Sequence, residues 1–519
     1  MSEKNLLLAL DNGTQSAKAL VFDLSGNLIA KEKIEFTPYF SDEPGWAEQD
    51  ANVFWESIIK ACNALWEKHG VDKARIAGVS LTTQRGTVVN VDREGKPLRP
   101  SILWLDQRKT YDQPPMKEPL RTLFTLAGLS DTIEYARCEA ESNWIAQNQP
   151  EIWSATHKYL LLSGYLTFKL TGDFADSVGC QVGYVPFDYK NLKWYGGMDF
   201  RWGMMRQRPE MMPRLVEPAK RIGEITKAAS DATGIPAGTP VIAAAADKAC
   251  EVLGSGAFEI NTGCISYGTT ATINVNTRKY ITPFALMPAY PSGVPGQHNL
   301  EVQIFRGYWM VSWFKEQFGY EERMEAEGKG VETETLFEKL VAEVPAGSMG
   351  LMLQPYWTPG IKHPGPEGKG AVIGFGDVHT RGHLYRSILE GLAYALREGR
   401  ERIEKRTKKP INRLIVSGGG SQSKSAMQIT ADVFGLPAAR PHLYETSGLG
   451  AAIDLAVGLG FYGNFAQAVN AMTRTGEVFQ PIPANARLYD ELYKEAYFPL
   501  YERLKPIYKS IRRITGYPR

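Results

Sequence analysis

The hexapeptide Asp11-Asn12-Gly13-Thr14-Gln15-Ser16 concentrates groups that can hold a phosphate. A Gly-Thr turn between two strands presents backbone N–H groups to anionic oxygens, and the Thr14, Gln15 and Ser16 side chains add donors. Asp11, which ends the apolar run over residues 6–10, can hold Mg²⁺ directly or through water, because that ion prefers carboxylate and phosphate oxygens. Lys18 would supply a positive charge nearby. An ordinary tight hairpin accounts for the turn equally well, since Gly-Thr turns are common. The stretch Gly268-Thr269-Thr270 repeats the pattern between residues 264–267 and 271–275, half a chain later. The pair gains weight together: a nucleoside triphosphate lying between two lobes needs a clamp from each side.

Asp247 ends the apolar stretch 240–246, read as a strand. A buried carboxylate there is costly without a partner or a chemical role, and taking a proton from a substrate hydroxyl is one such role. Pairing with Lys248, or with local N–H groups, is the even alternative. Gly418-Gly419-Gly420 lies between an apolar strand (residues 414–416) and a helix read over 423–434. Three glycines let the backbone approach a ligand closely, and their entropic cost favours that reading over a flexible connection. Thr82-Thr83-Gln84-Arg85, with Trp104, offers hydrogen bonds for several sugar hydroxyls and a flat face for sugar C–H groups. A surface loop and a core tryptophan would explain the same residues.

Other patterns fail. His379 and His383 are four apart without the intervening Glu of a metalloprotease, and residues 365–370 lack the Ser or Thr and the glycine spacing of a phosphate loop.

The elements that must position these groups are legible from periodicity. Residues 6–36 read as a three-stranded antiparallel meander, 51–68 as a helix, 76–81 and 87–91 as strands. Leu384, Ile388, Leu392 and Leu396 recur every four residues along one helix face, and residues 450–459 read as an Ala-rich helix. The pattern restarts near Phe258, dividing the 519 residues into an N-terminal lobe over 1–258 and a C-terminal lobe over 259–519. With 59 basic and 57 acidic residues, the chain lacks the basic excess of a nucleic-acid or membrane-surface protein. Five scattered cysteines without a CxxC argue for reduced thiols. No apolar run approaches a membrane span; the longest covers residues 159–168. Residues 1–10 lack the basic start of a secretory leader. These features point to a cytoplasmic location.

Taken together, these segments resemble the FGGY family of carbohydrate kinases, within the sugar kinase, Hsp70 and actin superfamily. The resemblance rests on Asp11-Asn12-Gly13-Thr14, Asp247 with Gly254-Ser255-Gly256, Gly268-Thr269-Thr270, the helix 383–391, and Gly418-Gly419-Gly420 through Gln428, Ala431 and Asp432. It implies an α/β protein of two actin-like (ribonuclease H-like) lobes with the active site in the cleft between them, ATP and Mg²⁺ as cofactors, and a homodimer. It further implies that Asp247 is the general base and that Asp11 and Asp247 position the metal. Gly13, Thr14, Gln15, Ser16, Lys18, Gly268 and Thr269 would face the phosphates, Gly419 and Gly420 the adenosine. Gln84, Arg85, Trp104, Asp247 and Lys248 would meet the sugar. The substrate segment is similar to that of glycerol kinase, but Gly86 stands where that family has Glu, and Lys248 where it has Gln. These departures favour a larger acceptor, a pentulose such as xylulose or a four- to six-carbon polyol, although the Gln-Met-His-Gly segment usual in xylulokinases is absent. Glycerol kinase is the alternative enzyme. A chaperone-like or cytoskeletal ATPase of the superfamily is the alternative of another class, and a pseudokinase a third.

Overall fold

The computed structural model describes residues 4–284, 287–360 and 363–517. The first three residues of the stretch read as lacking a leader, and the outermost ends of the two expected lobes, lie outside the described residues.

Leu6–Asn12 is buried along its whole length because both of its faces are covered. Alternate side chains go opposite ways: Leu6, Leu8 and Leu10 pack with Phe54, Ile58 and Leu65 of helix Ala51–His69. Leu7 and Ala9 pack with Leu449, Ile453 and Leu455 of helix Thr446–Gly458. A helix from late in the chain therefore covers the N-terminal sheet. That six-stranded sheet runs, edge to edge, Arg221–Glu224, Pro240–Ala243, Ile76–Thr83, Leu6–Asn12, Ser16–Phe22, Leu28–Glu35.

The second sheet, of seven strands, repeats the plan. Thr262–Tyr267 pairs antiparallel with Ala271–Thr277, which pairs antiparallel with His298–Ile304. On its other side Thr262–Tyr267 runs parallel to Arg413–Ser417, then come Ala438–Pro441 in parallel and Thr475–Phe479 antiparallel. The N-terminal sheet has the same succession of pairings: a meander on one side of Leu6–Asn12, two parallel neighbours on the other, and an antiparallel edge. The two Gly-Thr hairpins thus occupy equivalent positions in two lobes of one topology. Helix Arg381–Thr407 buries Ile388, Leu392 and Leu396 in the C-terminal core, on the face read from their spacing. Among the described residues no helix is long and apolar enough to cross a membrane.

Several boundaries differ from expectation, among them that of strand Ile76–Thr83, which extends past residue 81. The strand read over 240–246 ends at Ala243, and Asp247 opens a helix, Asp247–Gly254, instead of closing a strand. The alanine run fits either element; the acidic residue in a first helical turn complements the positive end of the helix dipole. The apolar run 159–168 splits between strand Lys158–Leu161 and helix Leu162–Thr171. The Ala-rich helix begins at Thr446, before Gly450. The His379–His383 pair also finds its role: the Nδ1 atom of His383 accepts from the N–H of Thr380 at 3.1 Å, capping the long helix.

Candidate active site

Asp11 and Lys18 are directly opposite in the first hairpin, and the pairing brings Lys18 Nζ to 3.3 Å from Asp11 Oδ2. The same ammonium lies 2.7 Å from Glu445 Oε2, whose other oxygen meets Lys31 Nζ at 2.9 Å. Lys18 is therefore shared between carboxylates from both halves of the chain. Burial pushes the Asp11 pKa up, outweighing the opposing Lys18 charge. Burial pushes Glu445 the same way, but Lys18 and Lys31 overcome it and hold that carboxyl below its ordinary range.

In the turn itself, the Gly13 N–H donates to the Ser16 carbonyl at 2.9 Å, Gln15 is exposed and Ser16 is buried. The Thr14 hydroxyl donates to Gln84 Oε1 at 2.9 Å and accepts from Trp104 Nε1 at 3.1 Å. The Gln84 N–H donates to the Asn12 carbonyl at 2.9 Å. The phosphate-type turn and the Gln84–Trp104 segment are one hydrogen-bonded unit. Asn12 Oδ1, Thr82 Oγ1 and Gln84 Nε2 are buried there without a hydrogen-bond partner, so this wall retains unmatched donors and acceptors.

Asp247 is partly buried at the start of its helix, where one carboxylate oxygen accepts from the Lys248 N–H at 2.7 Å. Burial pushes its pKa up to about 6 against the charges of Lys248 and Arg85, and the nearby Asp11 and Glu251 carboxylates push the same way. The Lys248 side chain is held by its own helix and by the C-terminal sheet. Its ammonium binds Glu251 Oε2 at 2.8 Å and Ser266 Oγ at 2.6 Å, and lies 3.9 Å from the place a Gly268 β-carbon would occupy. This residue, expected on the sugar, faces the second Gly-Thr turn, because one helical turn separates it from the buried Glu251 that holds it. Glu251 Oε1 in turn accepts from Ser417 Oγ at 2.6 Å, tying the Asp247 helix to the strand that leads into the glycine triplet.

On the C-terminal side the Gly268 and Thr269 carbonyls accept from the N–H groups of Tyr308 and Trp309, at 3.0 and 3.4 Å, so the following loop buttresses the turn, and Thr269 is exposed. The three glycines separate in role. A β-carbon on Gly418, whose φ is +82°, would meet the Tyr267 backbone at 2.8 Å, and one on Gly420 would enter the Tyr308 ring at 2.1 Å. Both are small because neighbouring chain packs against them. Gly419, with only the Tyr444 hydroxyl at 3.5 Å, is the open member.

Arg85 does not project freely. Its two terminal nitrogens grip Glu301 of the C-terminal sheet at 3.0 and 2.9 Å, beneath the Tyr290 ring at 5.3 Å. Burial opposes its charge, yet Glu301 holds the guanidinium pKa above the ordinary value. Gly86 adopts a φ of +66°, and its β-carbon would sit 3.4 Å from that of Trp104. The left-handed backbone, more than the space, favours glycine here.

Glu251, Ser266, Glu301, Ser417 and Glu445 were missed by sequence reasoning. Glu301 and Ser266 carry only the period-two alternation of their strands, and Glu251 was hidden by ending a strand at Asp247. Among the described residues no group of three or more His, Cys, Asp or Glu side chains could hold a metal ion.

Residues 6–254 match the FGGY family of carbohydrate kinases, N-terminal domain, and residues 263–459 match its C-terminal domain. An uncharacterized sugar kinase of Escherichia coli (strain K12) is 31% identical over 513 residues, covering 98% of this chain and 95% of that protein. A xylulose kinase of Staphylococcus epidermidis is 27% identical over 530 residues, covering 99% and 100%. Among solved structures, the xylulose kinase from Rhodospirillum rubrum superposes with a TM-score of 0.79 at 25% identity, over 97% of this chain and 100% of that one. Plasmodium falciparum glycerol kinase with ADP gives 0.75 at 19% identity, over 96% and 99%, a likeness of fold.

Proposed function

The chain belongs to the FGGY family of carbohydrate kinases, an enzyme that phosphorylates sugars, and from that premise we propose that its acceptor is a pentulose such as xylulose or a related four- to six-carbon polyol. The observation that carries this is Gly86. Where glycerol kinase has a glutamate, this chain has a glycine in a left-handed conformation beside Trp104, which leaves the pocket open to a longer acceptor.

In this reading the acceptor hydroxyl lies between Asp247 and the segment Gln84–Arg85, with Trp104 beneath its carbon chain. Asp247 accepts the hydroxyl proton as the oxygen forms its bond to the γ-phosphorus, and the bond from that phosphorus to the ADP oxygen breaks. A pKa of about 6 suits a general base, since the carboxyl is ionised at neutral pH and more basic than an ordinary aspartate. The N–H groups of Thr14 and Gln15 in the first turn and of Gly268–Thr269 hold the phosphates from opposite lobes, with Lys248 adding positive charge at the second turn. Open Gly419 suits adenosine. Catalysis is then mostly positioning and charge neutralisation.

Mg²⁺ fits this chain in one respect. Asp11 and Asp247 both have pKa values raised by burial, and Asp11 raises that of Asp247 further, so a divalent cation between them would relieve their repulsion. Two carboxylates with phosphate oxygens and water suit Mg²⁺. When bound, the ion would neutralise phosphate charge.

A coupled ADP-release assay over glycerol, erythritol, pentuloses, hexuloses and pentitols tests the reading. Strong turnover on a pentulose or longer polyol with weak glycerol turnover is expected. Preference for glycerol would defeat it, and ADP release independent of any sugar would point to an ATPase.

A further inference from the structure

We propose that the C-terminal sheet supplies the far wall of the acceptor pocket, with Asn274, Asn299 and Glu301 taking the distal hydroxyls of a neutral acceptor of five or more carbons. This rests on the kinase reading above and extends it to a second lobe.

The register of the sheet makes the wall. Asn274 is directly opposite Glu301, and Asn299 is opposite Asn276 on one side and Tyr290 on the other. Side chains directly opposite share a face. The other face carries Ile273, Val275, Leu300 and Val302 into the core. The polar face carries Glu301 to Arg85 and Tyr290 over the Arg85 guanidinium, so it faces the Gln84–Arg85 segment of the other lobe.

This face is built of buried polar groups, of which Glu301 is matched by Arg85 and the asparagines are not fully matched. Asn274, Asn299 and Glu301 are 1%, 3% and 3% exposed. Asn274 Oδ1, Asn276 Oδ1 and Asn299 Oδ1 on this face have no hydrogen-bond partner, and neither does Gln84 Nε2 beside Arg85. Leaving such atoms unpaired is costly in a folded protein, and a cluster of them beside the Gln84–Arg85 segment calls for a partner such as a bound ligand. Unmatched acceptors on one lobe and an unmatched donor on the other suit hydroxyl groups, which give and receive hydrogen bonds. Arg85 and Glu301 neutralise each other, so the wall offers no net cation for a carboxylate. It selects a ketose or polyol over a sugar acid.

The test uses Glu301→Gln and, in case the buried Arg85 destabilises that variant, Asn274→Ala. ADP release is measured on glycerol, xylulose and gluconate, and the thermal shift produced by each acceptor is measured without ATP. Both variants are expected to lose about tenfold more kcat/KM on xylulose than on glycerol, mainly through KM, as expected when a hydrogen bond to one distal hydroxyl is lost. The xylulose-induced shift should shrink in both. Equal losses on xylulose and glycerol, an unchanged shift, or wild-type preference for gluconate would overturn the wall. If xylulose shifts the wild type and not the variants but no acceptor drives ADP release, the wall stands and the kinase reading fails. If no acceptor shifts the wild type, the wall is overturned.

Discussion

Gly450 lies so close to Cys250 that a β-carbon on it would sit 1.9 Å from the Cys250 carbonyl oxygen. Gly254 is in the reciprocal position: a β-carbon on it would sit 2.0 Å from the Thr446 carbonyl oxygen. The helix that begins with Asp247 and the helix Thr446–Gly458 therefore meet backbone to backbone, between the two sheets. The Ser447 hydroxyl donates to the Asp247 carbonyl at 3.2 Å in the same contact. Gly450→Ala should force these helices apart, costing about 3 kcal/mol or more because neither backbone can yield as a side chain would. Urea unfolding measures it; a cost under about 1 kcal/mol would show that the contact relaxes.

That contact explains what could and could not be read in the sequence. The hairpins at Asp11 and Gly268, and the Ile388–Leu396 face, are local patterns with one good solution each, and they stand where expected. The Asp247 helix is masked locally: residues 241–246 are apolar and alanine-rich and run on as a strand would, so its start at Asp247 is seen only when residues 247–254 pack against helix Thr446–Gly458. The place of Lys248 beside Asp247 says nothing of where its ammonium goes: the buried Glu251, one turn on, and Ser266 hold it near Gly268. Arg85 reads as a free ligand-binding cation until Glu301, 216 residues later, is brought opposite it. Cross-lobe partners of this kind have no spacing to find them by.

Asp247→Asn should lower kcat by about 10²- to 10⁴-fold, the range for loss of a general base, and leave ATP affinity nearly unchanged. The isosteric amide keeps an oxygen that can accept from the Lys248 N–H, so the fold should survive. Single-turnover phosphoryl transfer and nucleotide titration on one sample separate the two effects. Retention of more than about a tenth of wild-type kcat would remove Asp247 from that role.

Restoring the glutamate of glycerol kinase at position 86 should not restore glycerol specificity. Gly86 has a φ of +66°, where a side chain costs about 1–2 kcal/mol, and the new side chain would start in contact with Trp104. Gly86→Glu is expected to lower Tm and reduce turnover on every acceptor. A variant with unchanged Tm and raised glycerol kcat/KM would show that the backbone here is free to change and that space alone explains the glycine.

Asp454 is fully buried in the helix between the lobes, and neither carboxyl oxygen has a hydrogen-bond partner. Burial alone pushes its pKa far above the ordinary range. The native state thus keeps this proton at pH values where the unfolded chain, with an ordinary carboxyl near about 4, has released it. The native state binds more protons, so its stability falls as pH rises above about 4, by up to about 1.4 kcal/mol per pH unit until the buried group ionises. Asp454→Asn removes this loss, because the amide is neutral at every pH. The variant should gain on the wild type steadily between about pH 5 and 8 in urea unfolding, and the gap should close towards about pH 4. Parallel stability profiles would mean that Asp454 is ionised in the folded protein, with a counter-charge or water reaching it between the lobes.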